Sequence, residues 1–161
     1  MTRTTLLWTT LFALAAASPV AVQAAPGPFA ALAGAWAGSG TLTMANGATE
    51  NLRCRANYDV SGSGSGLKIS LRCASQSYNF DLGGNVTYQD GRISGTWSEA
   101  TRNVAGSISG HATANQVNAA ARSEGMSANL SLTTNGNRQT VSIRSTGNAD
   151  IAGVSLGLTK H

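Results

Sequence analysis

Charge, proline, histidine and cysteine are all scarce in this chain of 161 residues. Only 11% of its residues are Asp, Glu, Lys or Arg, against roughly 25% in an average globular domain, so long solvated helices and charged tails have little to be built from. The prolines, Pro19, Pro26 and Pro28, all precede Phe29, and nothing beyond that point is barred from a sheet by a missing amide hydrogen. The histidines, His111 and His161, lie too far apart for metal-ligand spacing and read best as a solvent-facing residue and a chain end. No serine or cysteine stands in a pattern with a base, and no two carboxylates are paired for acid and base work. These absences argue against an enzyme and call for no cofactor and no metal. The formal charge is +4, falling to +3 without Arg3, and the basic residues are scattered, so nucleic-acid binding has no footprint here.

What is present begins with a leader. Residues 1–24 have the form of a secretory signal: Arg3 near the start, an apolar run over residues 6–17, and Val22-Gln23-Ala24 before a cut at Ala25. That run is short of the ~20 residues a membrane helix needs, and no cysteine follows the cut to carry a lipid. The mature chain is therefore expected in the periplasm or outside the cell, in an oxidising space, with no membrane insertion. Residues 25–33 read as a linker, and 34–161 as a single domain.

The cysteines fall in one hairpin. Placing the turn at the centre of the Ser-Gly repeat over residues 61–66 sets Val60 against Leu67, Tyr58 against Ile69, Ala56 against Leu71, and Cys54 against Cys73. Both arms alternate, so Leu52, Cys54, Ala56, Tyr58 and Val60 share one side and Arg53, Arg55 and Asp59 the other. Opposed residues in an antiparallel pair hold their β-carbons about 4.5–5.5 Å apart, within reach of a disulfide. A core-facing bond between Cys54 and Cys73 is expected, the alternative being two unconnected buried thiols. The Ser-Gly repeat itself reads as a flexible connector, since no lysine or helix start follows to make it a phosphate cradle.

Period-two alternation continues through the rest of the chain. Trp36, Gly38, Gly40, Leu42 and Met44 share a face before the Asn46-Gly47 turn. Tyr78, Phe80, Leu82, Gly84, Val86 and Tyr88 run to Asp90-Gly91, and that pivot sets Tyr88 against Ile93 and Gly84 against Trp97. Gly83-Gly84 offers a place for a bulge. Further strands follow up to Asn135-Gly136 and back through Gln139, Val141 and Ile143, and residues 151–158 alternate as one more. Nine strands and a candidate tenth, joined by short turns, describe an all-β up-and-down antiparallel meander of about eight to ten strands, closed into a barrel. A two-sheet β-sandwich satisfies the same pattern.

Sorting by parity leaves the inward set almost wholly uncharged. Glu50 and Glu99 have inward parity but fall at strand ends, near a rim. Arg53, Arg55 and Arg72 gather on the outer side of the cysteine hairpin as a basic patch. The inward aromatic residues Trp36, Tyr58, Tyr78, Phe80, Tyr88 and Trp97 are the candidate lining of a ligand site, with glycines and alanines between them to leave room.

Gly34-x-Trp36, extended to Gly38 and Gly40, resembles the first-strand signature of the calycin barrels, which include lipocalins, fatty-acid-binding proteins and nitrobindin-like haem proteins. Gly95-Thr96-Trp97 is similar to a second copy. The chain also resembles small exported bacterial proteins of unassigned role. The calycin resemblance implies that Trp36 plugs one end of a barrel whose interior takes a small apolar or amphipathic ligand, with Arg144 as the counterpart of the late arginine stacked on that tryptophan. The competing reading is a non-enzymatic structural or interaction module of the cell envelope with a filled core, working through its outer surface.

Overall fold

The computed structural model describes residues 21, 23–147 and 149–161, and the leader, residues 1–24, lies almost wholly outside them. Ten strands follow one another: β1 (Gly34–Met44), β2 (Thr49–Ser61), β3 (Gly66–Ala74), β4 (Asn79–Gln89), β5 (Arg92–Glu99), β6 (Val104–Ala112), β7 (Gln116–Ser123), β8 (Met126–Asn135), β9 (Arg138–Ser145) and β10 (Ile151–Lys160). Each pairs antiparallel with the next, and β10 returns to β1, from Trp36 opposite Lys160 to Leu42 opposite Val154. The sheet is therefore a closed up-and-down barrel. The sandwich is excluded, and the candidate tenth strand is the one that closes the ring.

The cysteine hairpin adopts the expected register, with Val60, Tyr58, Ala56 and Cys54 opposite Leu67, Ile69, Leu71 and Cys73. Cys54 and Cys73 are joined by a disulfide, with both residues buried. Tyr88 opposes Ile93 and Gly84 opposes Trp97. Gly83 and Gly84, however, form no bulge: β4 keeps register with β3 on one side and β5 on the other. The irregularity falls instead at Thr43 and Met44, where β1 slips against the start of β10.

Inward glycines let the wall bend. A β-carbon on Gly38, Gly40, Gly95, Gly106 or Gly110 would run into the backbone carbonyl of the neighbouring strand, far inside van der Waals contact. Any side chain there would push the strands apart, so these positions act as the corners of the barrel.

One end of the barrel is dry. Trp36, at 1% exposure, lies there with Tyr58, Leu67, Val86, Ile93, Val117, Leu156 and Leu158. The segment read as a linker builds the cover. Gly27 and Phe29 donate backbone hydrogen bonds to the carbonyls of Ser63 and Gly64, and a single 3-10 turn at Ala30–Leu32 brings Leu32 and the fully buried Phe29 onto the core. Phe29 meets Tyr88 edge to face, and Trp36 Nε1 donates to the Leu32 carbonyl at 2.7 Å. The Ser-Gly repeat is thus a docking point as well as a connector: Gly64 is buried at φ +99°, and a β-carbon there would strike the backbone of Gly27. The few buried polar groups at this end are paired. Tyr58 Oη donates to Gln139 Oε1 at 2.9 Å, and Gln139 Nε2 donates to Thr134 Oγ1 at 3.4 Å.

The disulfide spans 19 positions of sequence, and restricting a loop of that size in the unfolded chain is worth about 3 kcal/mol in the chain-entropy account. Replacing both cysteines, Cys54→Ser with Cys73→Ser, is expected to lower the free energy of unfolding by about that amount in denaturant titration while the far-ultraviolet circular dichroism stays that of a β protein.

Candidate active surface at the open end of the barrel

At the other end, many inward side chains from β3 to β10 are only half covered, although Leu42 on β1, Leu52 and Cys54 on β2 and Cys73 on β3 are buried. Leu71, Phe80, Trp97, Ile108 and Leu130 point inward by register yet keep intermediate exposure, as do Ile69, Val60 and Tyr88 nearer the plug, where most other inward apolar side chains are buried. Water therefore reaches apolar surface from this side. A ten-stranded ring is wider than the eight strands that side chains alone fill, and the corner glycines remove further bulk.

Trp97 is the largest inward apolar side chain of this mouth and is of intermediate exposure. It sits between Gly84 on β4 and Gly106 on β6, and its Nε1 donates to the Ser107 carbonyl at 3.1 Å. A β-carbon on Gly106 would touch that nitrogen, so the ring lies flat over the glycine, with its polar edge already satisfied. What it offers a ligand is an apolar face.

Beside it, the loop between β5 and β6 folds around one carboxylate. Glu99, whose side chain is 7% exposed, accepts from the backbone of Asp81 at 2.9 Å, of Thr101 at 3.2 Å and of Arg102 at 2.9 Å. The Thr101 hydroxyl donates to it at 2.7 Å and Arg102 Nη1 at 3.3 Å. Burial pushes the Glu99 carboxyl up, but the Asp81 amide, the Thr101 hydroxyl and the Thr101 and Arg102 amides more than offset it and hold the group down at about 2. Glu99 is thus an ionised anchor with no free lone pair directed at a substrate, and it organises the rim. Glu50, on the far side of the mouth, is lowered by the hydroxyl of Ser75 and the amide of Ser77, the latter donating at 3.0 Å.

Arg102 completes the rim. Its Cζ lies 4.8 Å from the centroid of the Phe80 ring and 5.7 Å from that of Tyr78. Those two rings stack at 6.2 Å with an interplanar angle of 9°. Sequence reasoning missed Thr101 and Arg102; the available signal was a carboxylate at a strand end followed at once by a tight turn, whose amides converge on it. It also missed Phe29 and Leu32, because the prolines beside them favoured a linker.

The six aromatic residues proposed as one lining are divided between the two ends. Trp36 and Tyr58 are buried in the plug, with their rings edge to face at 6.4 Å, and Tyr88 packs under Phe29. Burial drives the Tyr58 phenol up to about 12, its bond to Gln139 opposing only part of that, so it stays a neutral donor. Tyr78, Phe80 and Trp97 belong to the mouth. The cation over Trp36 is Lys160, with Nζ 5.7 Å from the ring, and not Arg144, which sits on the outer wall opposite Asn129 and Gly153. Arg53, Arg55 and Arg72 are exposed on the outer wall; Arg55 opposes Arg72, and Arg72 Nε is relieved by Asp81 at 3.3 Å. His111 is exposed beside Arg92 and Asn118, and the backbone of His161 is tied to the Ala35 carbonyl. Among the described residues, no three His, Cys, Asp or Glu side chains converge.

Among the described residues, two depressions on the outer wall stand out, one of about 440 Å³ along Ser109, Asn118, Asn129, Ser131 and Arg144, the other of about 320 Å³ along Ser39, Thr41, Asn51 and Arg53. Both are open to solvent; the first is floored by Ala119, Ala120 and Leu130 as well as by serines and asparagines, the second mainly by small polar side chains. The mouth is the better candidate, because there half-exposed aromatic rings at Trp97, Phe80 and Tyr78 stand beside polar groups fixed by the Glu99 loop.

No protein-family model matches the chain, and no curated protein matches it in sequence. Solved structures do. Rv2717c from M. tuberculosis superposes with a TM-score of 0.65 over 82% of this chain and 94% of that one, at 10% identity. The S-type phycobiliprotein lyase CPES from Guillardia theta gives 0.55 over 83% and 90%, at 9% identity. The likeness is one of fold. At such identity it carries the closed barrel and no residue roles.

The Glu99 anchor has a pH signature. Its folded carboxyl titrates far below the unfolded one, so its contribution is complete above about 4.5 and is lost as pH falls from there through about 2, to a total of about 3 kcal/mol. Glu99→Gln is expected to lower stability at pH 7 by up to that amount and to flatten the acid limb of the stability profile over that window, as read by thermal unfolding at successive pH values.

Proposed function

We propose that this protein is an exported, non-catalytic binding protein of the calycin type that takes a small apolar or amphipathic molecule through the open end of its barrel. The observation that carries this is a local asymmetry of the interior: most inward apolar side chains against the Phe29 and Trp36 plug are dry, as are Leu42 and Leu52 on β1 and β2, whereas those around Trp97 and Phe80 are half exposed. A filled core has no reason to leave a tryptophan face uncovered at one end, whereas a site that waits for an apolar ligand does. Two further points support the reading. The disulfide suits an oxidising compartment, in agreement with the leader. The carboxylates of the rim are engaged by their own loops and hold no proton for exchange near neutrality, which favours binding over acid and base chemistry.

The test uses the mature chain and a neutral apolar fluorophore, N-phenyl-1-naphthylamine. Saturable binding with enhanced emission is expected, and Trp97→Ala should weaken it by about tenfold, equivalent to ~1.4 kcal/mol of lost ring contact, without shifting the unfolding midpoint by a comparable amount. Absence of saturable binding by such probes, together with native mass spectra of protein from its own host that show the bare chain alone, would overturn the reading.

A further inference from the structure

The mouth contains one charged side chain that the rim uses along only one edge. Among the described residues, Arg102 is the one basic group laid over the inward aromatic rings of the open end. It is held there by Nη1, which donates to Glu99 Oε2 at 3.3 Å, to Thr101 Oγ1 at 3.1 Å and to the Asn79 carbonyl at 3.3 Å. Its Nε and Nη2 donate to nothing among the described residues, and the side chain is 41% exposed. The guanidinium is therefore immobilised along one edge with the other edge unused. Of the neighbouring negative charges, Glu99 pairs with it through Nη1 alone, and the Nε and Nη2 edge stays free of them among the described residues. Glu99 is already satisfied by three backbone amides and the Thr101 hydroxyl, Glu50 by Ser77, and Asp81 faces Arg72 on the outer wall.

A planar guanidinium with a free Nε and Nη2 edge fits an anion that can accept two parallel hydrogen bonds, as carboxylate, phosphate and sulfonate do. The loss of freedom that normally weakens such a contact has been met in advance by the aromatic stack and the Glu99 loop. Deeper in the barrel the inward face offers no charge to receive a second ionised group. Resting on the binding reading above, we propose that Arg102 is the head-group site of the mouth, and that the ligand is an amphiphile with one anionic head held at the rim and an apolar body lying along Phe80 and Trp97.

The experiment displaces N-phenyl-1-naphthylamine from the mature protein with three amphiphiles of equal chain length, each below its micellar concentration: dodecanoate, dodecanol and dodecyltrimethylammonium. The anion is expected to bind about tenfold more tightly than the alcohol and the cation more weakly than either. Arg102→Gln should abolish the preference for the anion while leaving dodecanol unchanged, and Arg102→Lys should retain part of it. Should Arg102→Gln fail to fold, the wild-type protein still decides: the preference for dodecanoate over dodecanol must shrink as salt is raised. Equal binding of anion and alcohol, tighter binding of the cation, or a preference that survives Arg102→Gln would each overturn the head-group site while leaving the barrel as a binding protein. Failure of the fluorophore to bind at all would instead remove the underlying reading.

Discussion

With β1 hydrogen-bonded to β2 along one edge and to β10 along the other, the sheet has no free margin, and that closure governs everything else in the molecule. In an open sheet, parity separates two faces that are both exposed in part. In a ring it separates inside from outside for every strand at once, so each choice of residue becomes a choice of compartment. The Cys54–Cys73 bond holds β2 and β3 to one alignment, and a slip of a single residue there would turn Leu52, Tyr58 and Leu67 outward together.

Within that ring the two ends are made by different chemistry. The plug is an apolar construction whose few polar atoms are used up among themselves: indole to Leu32 carbonyl, phenol to Gln139, amide to Thr134. The mouth is built around ionised groups held by backbone amides. Charge placed there costs little because each carboxylate finds several donors before it meets the interior, and in return it fixes the loops that frame Trp97 and Phe80. The wall between the ends is thinned by glycines whose missing side chains let neighbouring backbones close in.

The strands were legible in the sequence because their signal is local. Alternation, Asn-Gly and Asp-Gly turns and the position of the cysteines determine register without knowledge of the rest, and the observed pairs of β2 with β3 and of β4 with β5 follow them residue by residue. Closure was legible only as a tendency, since it depends on residues 151–160 finding the start of the domain. The site was harder to read. Parity assigns Trp36 and Trp97 the same inward side and says nothing of which end stays wet, a difference made by Phe29 and Leu32 docking on the hairpin of residues 61–66. Arg102 escaped notice for a related reason: it stands outside any strand, and its position comes from the convergence of amides on Glu99 and not from period. The glycine pair at residues 83–84 misled in the opposite sense, because glycine permits a bulge and does not require one.

The strands that seal the barrel stand at opposite ends of the domain, Trp36 meeting Lys160. Until the final strand has been delivered, β1 keeps a naked row of amides and carbonyls, and the ring can be zipped only by bringing the two most distant parts of the chain together. Closure thus waits on the one long-range pairing of the sheet, the kind of contact that slows folding. Any loss of β10 leaves an unpaired, sticky margin on β1 and β9 in place of a barrel.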